Sequence, residues 1–188
     1  MFHGWYWVGT FTGAVVISVA AFPLAVLTVW LLARHRRAKG ARSAWRTALA
    51  DVGIVYGTVP TVWLTLLPGG PADSPGRVSL VPLRDLSAII AHGPASATVQ
   101  IVGNLLVFAA LGFFGPMRFA GLASMPRILA LAAACSVLVE TAQYVLRLDR
   151  VSSVDDVLLN TVGAGLAALA SRHWWRATVD VESERVQA

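Results

Sequence analysis

Glu140, Gln143 and Arg147 follow one another at intervals of three and four residues, and Arg150, Asp155, Asp156 and Asn160 come within the next thirteen. Side chains three or four apart share a helix face, so the first three form one stripe and Asp156 with Asn160 forms another. Asn104 stands alone in an earlier apolar run. Carboxyls such as Glu140 or Asp156 in a low-dielectric site suit general acid–base work. They also suit pairing with Arg147 or Arg150, which would neutralise a buried charge. With Asp155 they offer oxygen ligands to a hard divalent ion, but three carboxylates without a defining spacing are no metal motif. His3, His35, His92 and His173 scatter along the chain and cannot jointly bind a metal or complete a triad. Neither a metal centre nor a cofactor is expected.

Bland readings stand beside these. Ser152 and Ser153 lie three residues before Asp155 and Asp156, the spacing of a helix-capping box whose acids complement the helix dipole. Asp156, with Asn160 one turn below it, is the acid expected to turn inward. Asn104, Gln143 and Asn160 suit hydrogen bonds between helices. The single cysteine, Cys135, sits in an apolar run as packing.

The elements that must position these groups are membrane spans. The 188 residues are 56% hydrophobic and 13% charged, about half the charged share of a soluble domain. Val8 to Ala33 contains no ionisable side chain, and about 20 such residues cross roughly 30 Å of hydrocarbon. Runs near Val52–Leu67, Thr98–Pro116, Ile128–Leu146 and Val157–Trp175 pass the same test. The expected fold is an all-α, polytopic membrane bundle of about five helices. Arg34, Arg36, Arg37, Lys39, Arg42 and Arg46 crowd the first connection with no acid among them, which marks it as cytoplasmic. Alternation adds Arg118, Arg127, Arg172, Arg176 and Arg185 to that side and leaves Arg77, Arg84, Arg147 and Arg150 outside. The amino terminus is therefore expected outside and the carboxyl terminus inside. Trp5, Tyr6, Trp7, Trp45, Trp174 and Trp175 fall near span ends, where amphipathic rings prefer the headgroup layer. The net charge of +5 is explained by topology and not by nucleic acid.

Three regions follow: residues 1–77 with two spans and the basic connection, 78–175 with three spans, and a solvated tail at 176–188. Within the outer loop, Leu86 to Ala91 is too short to cross and is expected on the interface or as a re-entrant dip. Asn104, Glu140, Gln143, Asp156 and Asn160 all fall in the outer halves of their spans. The economical arrangement turns them toward one another in a pocket open to the outside.

Glu140-Thr-Ala-Gln143, Arg150 and Val154-Asp155-Asp156-Val-Leu-Leu-Asn160-Thr-Val-Gly163 resemble the signature of the VanZ-like family. Leu80-Val81-Pro82 and the run from Asn104 through Phe108 to Gly112 extend the likeness over about Val78 to Ala170. Relatives often carry Asn, Pro and Asp where Ser79, Ala110 and Ser153 stand here, and Ser153 removes one carboxylate. The resemblance implies a multi-pass protein of the bacterial cytoplasmic membrane, its namesake associated with low-level resistance to the glycopeptide teicoplanin. It implies as partners the lipid bilayer and an amphiphilic envelope ligand, a lipoglycopeptide or cell-wall precursor. Three functions remain open: a pocket that binds or excludes such an amphiphile, an intramembrane enzyme acting on an envelope lipid or precursor, and a scaffold for another membrane protein. The oligomeric state is not encoded in any of these signals.

Overall fold

The structure, a computed structural model, describes residues 11–67, 77–148 and 151–175. His3, Trp5, Tyr6, Trp7, Arg150, Arg176 and Arg185 lie outside the described residues. Helix α1 (Phe11–Ala38) runs through Pro23, and α2 (Ala44–Thr65) returns along it. The two are joined by the Tyr56 hydroxyl, which donates to the Ser18 carbonyl at 2.6 Å. After a short strand, β1 (Arg77–Ser79), come α3 (Arg84–His92) and the broken span formed by α4 (Pro94–Val107) and α5 (Ala109–Arg118). Helix α6 (Met125–Val145), strand β2 (Val151–Ser153) and α7 (Val154–Ser171) complete the order. Among the described residues, five helical stretches are long and apolar enough to cross a membrane, one of them Pro94–Arg118, which joins α4 and α5. The expected all-helical bundle is thus present.

Two details depart from the sequence reading, and a third, the length of the segment at Leu86–Ala91, agrees with it. Basic residues assigned to the first connection belong partly to helix: Arg36 and Arg37 occupy the last turn of α1, where cations complement its dipole. The segment around Leu86–Ala91 is a nine-residue helix, too short to span. Two three-residue strands pair in parallel, Ser79 opposite Ser153, and tie the loop before α3 to the start of α7. Runs that short carry no periodic signal.

Helix α7 packs against α4, α5 and α6, whereas α1 packs on α2. Because lipid tails are as apolar as leucine, close backbone approach and not water exclusion must hold such helices together. Gly163 and Gly112 supply it. A Cβ at Gly163 would overlap the Leu105 carbonyl, and one at Gly112 would overlap the Ala164 carbonyl. Around these contacts Val107, Phe108, Ala132 and Ala164 form one core cluster. Ile128, Ala168 and Trp175 form a second toward the far end.

The bundle ends are chemically distinct. Asp51 of α2 binds Arg36 of α1 and Arg118 of α5, so the basic connection and the end of α5 share one end. Strands β1 and β2 and helix α3 gather at the other.

Candidate functional site

Asp155 organises the end away from the arginines. Ser153 caps α7, its hydroxyl oxygen accepting the Asp155 N–H at 3.1 Å, two residues on and not the three of a capping box, and its own N–H is taken by Glu140. The Asp155 carboxylate, only 4% exposed, then reaches across to the first turn of α3. Its Oδ1 accepts the Leu83 N–H at 2.5 Å, and its Oδ2 accepts the N–H groups of Asp85 and Leu86 at 3.0 Å each. A carboxylate there meets both the orphan amides and the positive end of the helix dipole. Leu83 lies in the left-handed region at φ 66°, a conformation costing a leucine about 1–2 kcal/mol. Its bond to Asp155 offsets that cost.

Asp85 returns the connection. The Ser153 hydroxyl donates to Asp85 Oδ2 at 2.6 Å. Burial pushes the Asp85 carboxyl up, but hydrogen bonds from Ser153 and Ser79 and the charge of Arg84 outweigh it and hold the group below its ordinary range. Asp85 was not among the residues singled out from sequence. The signal available was an acid in an otherwise apolar loop, directly after Arg84.

Glu140 anchors the same strand from the opposite side. Its Oε2 accepts the Ser153 N–H at 3.0 Å, and the Ser152 hydroxyl donates to the Glu140 carbonyl at 3.1 Å. The helix stripe expected to carry Glu140 on to Arg147 stops short. Helix α6 ends at Val145, and Arg147 adopts φ 51° with an exposed side chain. The Leu148 N–H returns to the Gln143 carbonyl and the Arg147 N–H to that of Tyr144, a Schellman ending with arginine in the usual glycine position.

Between α6, α7 and the strand pair lies a cavity of about 280 Å³. Val78, Leu80, Val137, Tyr144, Val154 and Val157 give it apolar walls, and Glu140, Thr141, Ser152 and Ser153 supply its polar groups. Val78, Leu80, Val137 and Tyr144 are exposed on the bundle surface, so the cavity is open and not enclosed.

The single hollow expected to collect Asn104, Glu140, Gln143, Asp156 and Asn160 does not form. Of these five, Glu140 lines the cavity. Asn104 on α4 donates to Asp156 on α7. Gln143 donates to the Thr65 carbonyl at the end of α2, 2.8 Å away. Asn160, 2% exposed, donates to the Ser136 hydroxyl on α6 at 2.7 Å. Each bond joins a different pair of helices: α4 with α7, α6 with α2, and α7 with α6. Among the described residues no group of three or more His, Cys, Asp or Glu is placed to hold a metal ion. The hydroxyls of Ser152 and Ser153 donate to a backbone carbonyl and to Asp85, so neither is partnered with an imidazole base.

Residues 54–175, about two thirds of the chain, match the family model VanZ/LLP1. The matched stretch contains Glu140, the capped start of α7, Asp85 and every residue lining the cavity. No curated protein and no solved structure matches the chain.

Proposed function

This chain belongs to the VanZ/LLP1 family, and on that premise we propose that it holds the hydrocarbon part of an amphiphilic envelope molecule in the cavity beside Glu140. The observation carrying this reading is the lining of the cavity: mostly apolar walls open to the bundle surface, with Glu140, Thr141, Ser152 and Ser153 among them. An amphiphile in a leaflet has the same mixture, with a chain in the bilayer and a polar head at its surface. Sites of a few hundred cubic ångströms with few polar groups are the usual form of small-molecule pockets. The six cations from Arg34 to Arg46 lie at the opposite end, and the positive-inside rule supports reading the cavity as one in the outer leaflet of a bacterial cytoplasmic membrane. A lipoglycopeptide or a lipid-linked cell-wall precursor meets its chemistry, and glycopeptide tolerance is the corresponding cellular effect. The bonds of Asn104, Gln143 and Asn160 end in protein groups and serve helix packing.

The test fills the cavity. Val137→Trp places an indole inside it, whereas Leu138→Trp, on the neighbouring surface-exposed position, does not. Binding of a fluorescent lipoglycopeptide, and of a lipid-linked precursor, to purified protein in nanodiscs should fall about tenfold or more with Val137→Trp and remain unchanged with Leu138→Trp, since tenfold is the loss of only about 1.4 kcal/mol. Glu140→Gln should weaken binding of the polar head. Equal binding by wild type and Val137→Trp, with the latter folded, overturns the proposal.

A further inference from the structure

The opposite end of the bundle holds a second cluster that the cavity does not use. Arg36 Nη2 meets Asp51 Oδ2 at 2.5 Å, and Arg118 Nε meets Asp51 Oδ1 at 2.5 Å. One carboxylate thus orients two guanidinium groups and leaves a net positive charge. The arginine side chains remain 26% and 35% exposed. The donors left over are those of Arg118: binding Asp51 through Nε leaves its two terminal nitrogens for another acceptor, whereas Arg36 Nη1 is buried and Arg36 contributes the charge of its partly exposed side chain. The Arg118 guanidinium also lies over the Phe119 ring, 5.0 Å from its centroid, which fixes its plane.

The depth of the cluster identifies what it meets. Asp51 is seven residues into α2, about 10 Å along the helix from its start. At the same end Arg34 covers the ring of Trp30 and Arg37 covers that of Trp45, both rings surface-exposed. Exposed tryptophans mark the headgroup level of a bilayer. The nearest abundant acceptor at that level is a lipid phosphate, whose oxygens match the planar donor fork of arginine.

We propose that Arg36 and Arg118, held by Asp51, form a binding site for one phosphate group, that of an anionic phospholipid headgroup. Asp51 is a positioning residue that also competes with the phosphate for the same donors. This distinguishes a binding site from a structural ion pair: if the triad only joins helices, removing the carboxylate weakens it, but if it binds phosphate, removal frees donors.

The experiment is native mass spectrometry of the full chain extracted from vesicles of equal parts phosphatidylglycerol and phosphatidylcholine. Wild type is expected to retain phosphatidylglycerol preferentially. Arg118→Gln should lose that preference about tenfold, the effect of one charged hydrogen bond, and Arg118→Lys, which keeps the charge without the fork, should lose part of it. Asp51→Asn should increase retention. Lys39→Gln, which leaves the triad intact, should change nothing. In a parallel arm, millimolar inorganic phosphate is added before analysis. Failure to displace the lipid supports a headgroup site, and displacement together with phosphate-dependent thermal stabilisation supports a phosphate site filled from solution. Equal retention of both lipids by wild type, or a loss of retention in Asp51→Asn matching that of Arg118→Gln in folded protein, overturns the proposal.

Discussion

Asp155 and Asp156 are neighbours in sequence but point about 100° apart on a helix, and that angle decides their roles. The sequence favoured Asp156 as the inward acid because Asn160 lies beneath it. The structure buries Asp155 more deeply, because its partners are backbone amides of α3 seventy residues away, which no spacing on α7 announces. Asp155→Asn retains one acceptor oxygen and loses the charge. It should destabilise the fold by about 1–3 kcal/mol and accelerate amide exchange at Asp85 and Leu86, measured by hydrogen–deuterium exchange in detergent. Asp156→Asn should leave those two amides protected. Asp85 gives a prediction in pH. Its carboxyl is depressed in the folded protein, so its contribution is fully present above the unfolded value near 4 and is lost as pH falls through the lower folded value. A spin label at exposed Ser87 should keep constant mobility from pH 7 to about 5 and loosen below about 4. Asp85→Asn should remove that transition.

At the scale of elements, the five spans were readable because an apolar run of some twenty residues has few other fates in a chain of this composition. The break between α4 and α5 was not. The chain carries Ala110 where relatives often have proline, yet Phe108 still leaves helical geometry at φ −113° and ψ 13°. Thr61 of α2 compensates: its hydroxyl lies 3.0 Å from the Val107 carbonyl at the break and 2.8 Å from that of Thr58, sharing one proton between them. Beside the break, α7 approaches through Gly163 and Gly112. In the sequence Gly163 stands out only as the end of the stretch from Val154, which does not indicate that its neighbour is the Leu105 backbone. Gly163→Ala should therefore cost at least the about 1–3 kcal/mol typical of overpacking, because a carbonyl cannot swing aside as a side chain can. Gly103→Ala, on the same α4 but with open space around it, should be neutral or slightly stabilising. Thermal unfolding of the two variants in one detergent separates a backbone contact from a general intolerance of α4 and α7 to added bulk.

For the whole molecule, the two ends carry opposite chemistry. Arginines converge on Asp51 at one end, and carboxylates organise α3, the strand pair and the cavity at the other. Charge bias in the sequence already separated these ends, since lysine and arginine positions are independent of how side chains pair. It could not group the polar residues into sites, since pairing depends on helix rotation, which apolar spans leave nearly unspecified. The same bias predicts the orientation: moving the six cations from Arg34 to Arg46 across the membrane is far less favourable than moving Arg77, Arg84 and Arg147. In a Cys135→Ser background, a cysteine at exposed Ser87 of α3 should react with a membrane-impermeant maleimide on intact cells. One at exposed Lys39 should react only after permeabilisation. Ser152 and Asn160 are unsuitable reporters because both are buried. The reverse labelling pattern would place the cavity in the cytoplasmic leaflet and remove the envelope-ligand proposal. The phosphate-site proposal would survive, because headgroups line both faces of the bilayer.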